Sequence, residues 1–200
     1  GNMANRSRFA IEIVKAIRAA TGPDFPIVLR YSQWKQQDYT ARLAHTPQEL
    51  DAFLTPLSDA GVDIFHCSQR RYWENEFEGS ELNLAGWTKK ITGKPTITVG
   101  SVGLSGDFFG AFKGQGSQTR AVDDLIARLE HNEFDLVAVG RALLQDPNWA
   151  NKIKEKILFF EKKSLEKNFW KDKNSAQKNI KEKNFFETLV TEYQTGGALS

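Results

Sequence analysis

The residues best suited to chemistry cluster after two short runs rich in β-branched side chains. Thr96–Val99 is followed by Gly100 and Ser101, and Leu136–Val139 by Gly140 and Arg141. A glycine at the carboxyl end of a strand lets the backbone approach a ligand that a Cβ would hold off. An adjacent arginine adds a permanent positive charge whose forked donors match a phosphate. When the last two strands of a β/α barrel end this way, the loops after them form a phosphate site. Gly100, Ser101, Gly140 and Arg141 therefore read as one anion-binding constellation. Arg30, near the end of the apolar run Pro26–Tyr31, is a further candidate. A cation in a buried parallel strand costs several kcal/mol unless it is paired. Arg30 thus either emerges to solvent at the strand's end or meets a partner. His66 lies mid-strand and His45 and His131 at loop or helix ends, so the three read as core or surface residues, and no catalytic residue or metal ligand is assigned. Cys67 follows His66 in strand alternation and reads as packing.

These residues need a scaffold of alternating strands and helices. Residues 4–20 carry Phe9, Ile13, Val14 and Ile17 at helical spacing, with Gly22 placed to stop the helix. Thr46-Pro47 supplies a cap and first turn for a second helix, running to Gly61. Val62–Cys67 is the next strand, Leu84–Thr92 a helix broken by Gly93-Lys94-Pro95, and Arg120–Glu130 an amphipathic crossover. Asp146-Pro147 caps a last helix through Trp149 and Ile153. Strand, glycine, helix, strand is the grammar of a parallel α/β sheet. Four such units make either half of an eight-stranded barrel or a small open sheet. A first helix with no strand before it favours the half-barrel. Trp34, Tyr72 and Trp73 fall on loops at the strands' carboxyl ends, where they either shape a pocket or a dimer contact, or pack their own loops.

Composition narrows the class. Residues 151–200 hold 11 Lys against 7 Asp and Glu, so the basic character belongs to the tail while the rest is mildly acidic. That tail reads as a helix packing its aromatic residues or as a weakly ordered extension, and its lysines as a solvated face rather than a nucleic-acid or membrane site. A single cysteine excludes an internal disulfide and points to a reducing, cytoplasmic compartment. No apolar run reaches the length of a membrane span, and the first residues lack a signal-peptide core.

Five segments in order, NRSRFAIEIVKAIRAATG, PIVLRYS, TPQELDAFLTPLSDAGVDIFHCSQ, KPTITVGSVG and FDLVAVGRALLQDPNWANKI, resemble the old yellow enzyme family of FMN-dependent NAD(P)H oxidoreductases, or ene-reductases. The resemblance covers roughly residues 1–153. It implies a TIM (β/α)8 barrel of which this chain matches the second half, with its four strands as the fifth to the eighth. The expected domains are residues 1–156, the FMN-binding half-barrel, and 157–200, a Lys/Asn-rich extension set off by its composition, which departs from the family pattern. By the same resemblance Arg30 reaches the flavin N1/O2 edge and stabilises the anionic reduced ring, while Gly100, Ser101, Gly140 and Arg141 hold the FMN phosphate. NADH or NADPH is the implied reductant, and an activated alkene such as an enone the implied small-molecule substrate. The family's catalytic tyrosine, its histidine pair or His/Asn pair for the substrate carbonyl, and a glutamine near the flavin pyrimidine belong to the half not matched here. A homo-oligomer or association with an N-terminal half is the implied partner. The rival expectation is a non-catalytic half-barrel that binds phosphate or flavin weakly or self-associates.

Overall fold

The computed structural model describes residues 1–149, 151, 152 and 155, apart from 36, 39, 107–109, 111–113, 115 and 119. The expected 157–200 extension and Ile153 lie outside the described residues. Helix α1 (Met3–Thr21) starts at Asn2, whose side chain accepts the Asn5 N–H at 3.0 Å, and stops at Gly22, φ +83°. Strand β1 spans Val28–Ser32 and α2 Pro47–Asp59. Thr46 caps α2 by accepting the Glu49 N–H at 3.2 Å, and the Glu49 carboxylate takes the His45 N–H at 2.7 Å. One orphan donor of the helix start is thereby satisfied, and the N–H just before the cap is held as well. Strand β2 (Ile64–Ser68) leads through a long loop to α3 (Leu84–Thr92), capped by Asn83 and closed by Gly93 in the left-handed region. Strand β3 (Thr96–Val99), α4 (Asp123–Glu130), β4 (Leu136–Val137) and α5 (Arg141–Gln145) complete the order.

Most boundaries fall within a few residues of the sequence expectation, and the largest differences are at the carboxyl end of the sheet. Strand β4 is two residues rather than four, its ladder to β3 covering only Leu136 and Val137. A short helix at Arg141–Gln145 precedes the expected last helix, which begins after Asp146-Pro147 and carries Trp149, with the Lys152 N–H donating to the Asn148 carbonyl at 2.9 Å. Asp146 closes the short helix by donating its N–H to Ala142, then accepts the Asn148 N–H at 3.1 Å to open the next turn.

The sheet order is β1-β2-β3-β4, all parallel. One face is covered. Tyr31, Phe65, Cys67, Thr96 and Thr98 alternate onto it and are buried. There Tyr31 packs on Phe53 of α2, with ring centroids 5.6 Å apart, and its hydroxyl lies 2.6 Å from Thr88 Oγ1 of α3. Leu50, Leu54 and Leu57 of α2 are fully buried in the same core, which Val14 of α1 and Leu125 of α4 join. Each such leucine contributes about 2 kcal/mol of burial free energy. The opposite face carries the row Arg30, His66, Ile97 and Leu136, none of them buried. A doubly wound sheet buries both faces under helices. A single covered face is instead the arrangement of a partial β/α barrel.

Arg30 is consequently exposed rather than buried. Both expectations for Arg30 hold in part, since alternation places it on the uncovered face and it meets His66 and Ser68 there. The apolar stripe of α1 is also divided. Val14 enters the core, whereas Phe9 is 73% exposed and Ile13 and Ile17 lie beside it on the outer side.

Candidate functional site

A cleft of about 480 Å³ opens at the carboxyl ends of the four strands. Its walls include all five residues singled out from the sequence: Arg30, Gly100, Ser101, Gly140 and Arg141. Strand β1 contributes Arg30, the turn after β3 contributes Gly100 and Ser101, and the start of α5 contributes Gly140 and Arg141.

The two glycines do different work. Gly100 sits at φ +139°, and a Cβ there would lie 2.7 Å from the Gln69 carbonyl oxygen and 3.1 Å from the Arg71 nitrogen. The loop after β2 occupies that space, and its Tyr72 N–H donates to the Gly100 carbonyl at 3.1 Å. Gly100 therefore admits neighbouring backbone, not a ligand, into the space a Cβ would fill. A Cβ on Gly140 would meet nothing within 4 Å, so this glycine leaves an open stretch of backbone on the cleft wall.

Ser101 is held in the left-handed region at φ +52°, a conformation that costs a non-glycine residue roughly 1 kcal/mol or more. Its Oγ lies 2.9 Å from the Gly106 carbonyl and 3.2 Å from the Arg70 carbonyl, and accepts from Arg141 Nη2 at 2.9 Å. The same Nη2 donates to the Gly106 carbonyl at 2.8 Å. Arg141 is thus oriented by two neutral acceptors, with no carboxylate partner among the described residues. Arg30 is similar. Its Nη1 donates to His66 Nε2 and its Nη2 to Ser68 Oγ, each at 3.2 Å. Nearby arginines are compensated: Arg70 and Arg71 pair with Glu74, and Arg42 with Glu76. Two guanidinium groups of uncancelled charge therefore flank one cleft, which concentrates positive potential there.

Titration follows the surroundings. Burial lowers the His66 pKa, and the Arg30 charge lowers it further. Cys67 is fully buried and its thiol is pushed up to about 12, chiefly by burial, which leaves it unionised and fits a packing role. Tyr72 is also fully buried and meets Trp73 edge-on at 5.0 Å, while the Arg120 guanidinium lies 3.7 Å over the Trp73 ring. These two aromatic residues pack their own loop, whereas Trp34 lines the cleft.

Several contributors were not among the sequence candidates. Ser68 lies two residues beyond His66 and shares its face, a placement that strand alternation could have exposed. Gln69 and Leu104 reach the cleft wall through loop geometry that leaves no local signal. Beside the cleft, Gln33 donates to Glu76 Oε1 at 3.0 Å, and Arg42 pairs with the same carboxylate, joining the loops after β1 and β2. Burial raises Glu76 to about 7 despite that arginine.

Residues 1–158 match the sequence pattern of the NADH:flavin oxidoreductase / NADH oxidase family. The chain belongs to that family. Its members bind FMN and use NADH or NADPH as reductant, as the resemblance implied. Among its relatives, the NADH oxidase of Thermoanaerobacter brockii is 31% identical over 163 residues, covering 78% of this chain and 22% of the relative. The bilirubin reductase of Clostridium symbiosum is 28% identical over 163 residues, covering 74% of this chain and 38% of the relative. The cinnamate reductase of Clostridium sporogenes is 27% identical over 174 residues, covering 78% and 24%. The chain thus spans well under half the length of each of these relatives. Among the described residues, no helix is long and apolar enough to cross a membrane, and no group of three or more His, Cys, Asp or Glu is placed to hold a metal.

Proposed function

We propose that this chain provides the FMN-binding half of a TIM-barrel NAD(P)H oxidoreductase that reduces activated alkenes such as enones. The observation that carries this reading is the pair Arg30 and Arg141, both without a carboxylate partner among the described residues, on the walls of one cleft. FMN is an anion with a phosphate at one end and an electron-accepting ring at the other, and two separately anchored cations fit that distribution. When bound, it supplies a ring that takes a hydride from NAD(P)H and passes it to the alkene. Arg141, oriented by Ser101 and the Gly106 carbonyl, holds the phosphate against the open backbone at Gly140. Gly100 fixes the turn that carries Ser101. Arg30 faces the ring edge on which negative charge collects on reduction. By the family resemblance, the proton donor for the alkene belongs to the half of the barrel not matched here. The name of the cinnamate reductase among the relatives supports the alkene class, and a lone, buried cysteine suits a cytoplasmic protein.

A second reading is supported by the exposed stripe of Phe9, Ile13 and Ile17. Contiguous apolar surface of this kind marks an association site. The chain would then join a second half or a second copy, and alone would hold flavin without turnover. Flavin retention tests the main reading. The purified chain is mixed with FMN, desalted and examined for flavin absorbance. Stoichiometric flavin that is lost in Arg141→Ala supports it. A folded chain that retains none refutes it.

A further inference from the structure

Resting on that reading and deepening it, we propose that His66 is the positioning residue for Arg30, using its bare Nε2 to aim the guanidinium across the open sheet face toward the flavin ring. Register puts the two residues opposite each other on neighbouring parallel strands, Arg30 of β1 against His66 of β2, both on the uncovered face. Arginine has five donors and no acceptor. The 3.2 Å contact between Arg30 Nη1 and His66 Nε2 therefore requires Nε2 to be unprotonated, and the ring proton sits on Nδ1. Ser68 Oγ, one pleat further along β2, accepts from the other terminal nitrogen at 3.2 Å. Together the two acceptors fix the plane of the guanidinium without neutralising it, as a carboxylate would. That distinction matters for a group whose charge is to act on a ligand.

The surroundings keep the ring neutral. Arg30 is the charged group facing it from β1, and its partner on β3, Ile97, is apolar. Burial and the Arg30 charge both favour the unprotonated form. A protonated ring would lose its acceptor and repel Arg30, so the orientation of the flavin-edge cation becomes sensitive to acid.

The test uses the full chain with FMN, in three single variants and one double variant, His66→Leu with Arg30→Gln, beside the parent. His66→Leu removes the acceptor beside apolar Ile97, His66→Gln keeps an acceptor that does not titrate, and Arg30→Gln removes the cation. Without FMN, the His66 ring is titrated by NMR, and its midpoint is expected to move up in Arg30→Gln. With FMN, affinity and midpoint potential are measured at pH 8. His66→Leu is expected to weaken the preference for reduced over oxidised flavin about tenfold, the scale of a charge-assisted bond, or about 30 mV for two electrons. His66→Gln is expected to restore it, and His66→Leu to add nothing on top of Arg30→Gln. A His66→Leu chain that binds FMN with the parent's affinity and potential overturns the role of His66 and leaves the flavin site standing. A parent chain that binds no FMN overturns the underlying reading, and this proposal with it.

Discussion

Replacing Gly100 by alanine should destabilise the fold far more than the same change at Gly140. At φ +139° an alanine is outside the regions open to L side chains, a strain of roughly 1–3 kcal/mol. Its Cβ would also stand 2.7 Å from the Gln69 carbonyl oxygen, where ordinary contact begins at 3.4 Å. The overlapping atom is backbone, so relief requires the loop after β2 to withdraw, and withdrawal breaks the Tyr72 N–H bond to Gly100. That bond contributes about 1 kcal/mol. The sum is a loss of about 3 kcal/mol. For a folded body of about 150 residues, this lowers the melting temperature by roughly 6–12 °C. Gly140→Ala meets empty space at negative φ, so its melting temperature should stay within about 2 °C of the parent. Thermal unfolding followed by far-ultraviolet circular dichroism compares the three proteins directly. A Gly100→Ala chain melting with the parent would refute the close approach described here.

Other consequences are open to measurement. Glu76 is 10% exposed at its side chain and is raised from 4.5 to about 7 mainly by burial, so the folded chain binds the extra proton more tightly than the unfolded one. Its contribution is therefore fully present below about pH 4.5 and lost as pH rises through about 7, by at most ~3 kcal/mol. The difference between parent and Glu76→Gln denaturation curves across pH 5–8 isolates this effect, since His66 titrates in both; a flat difference would contradict it. Asn83→Ala removes the cap on Gly86 and the buried donation to the Tyr72 carbonyl, at 2.9 and 2.8 Å, and should cost about 2–4 kcal/mol in denaturant unfolding. Cys67, fully buried with its thiol near 12, should react with a thiol reagent at pH 8 only after unfolding, and rapid labelling of the native chain would contradict its packing role.

The elements most readable from the sequence are those with local causes. Gly22 and Gly93 end their helices through their own left-handed backbone, and Thr46-Pro47 starts α2 with contacts confined to four residues. Strand β3 matches its expected bounds because Thr96–Val99 is flanked on both sides by breakers. What was not readable depends on distant chain. The exposure of Arg30 follows from which sheet face lacks helices, and nothing near residue 30 encodes that. The need for glycine at position 100 comes from the backbone at Gln69, thirty-one residues earlier in the chain. The left-handed turn at Ser101 is held by Arg141 and Gly106, and the clasp of Gln33, Arg42 and Glu76 joins two loops with no shared pattern. The five candidate residues were named from chemistry and resemblance, and the folded chain lines one cleft with all of them. Their further partners, Ser68 and His66 for one cation and the Gly106 carbonyl for the other, emerge only from the parallel register and the loops above it.

The central claim is that Arg141 and its neighbours hold a phosphate. Titration of the chain with FMN and with riboflavin, which lacks the phosphate, tests it most directly through quenching of flavin fluorescence. The parent chain should favour FMN by at least about tenfold, the scale of a charge-assisted phosphate contact. Arg141→Ala should erase that preference while leaving riboflavin affinity unchanged. Equal affinity of the parent for both flavins, or an undiminished preference in Arg141→Ala, would contradict the account.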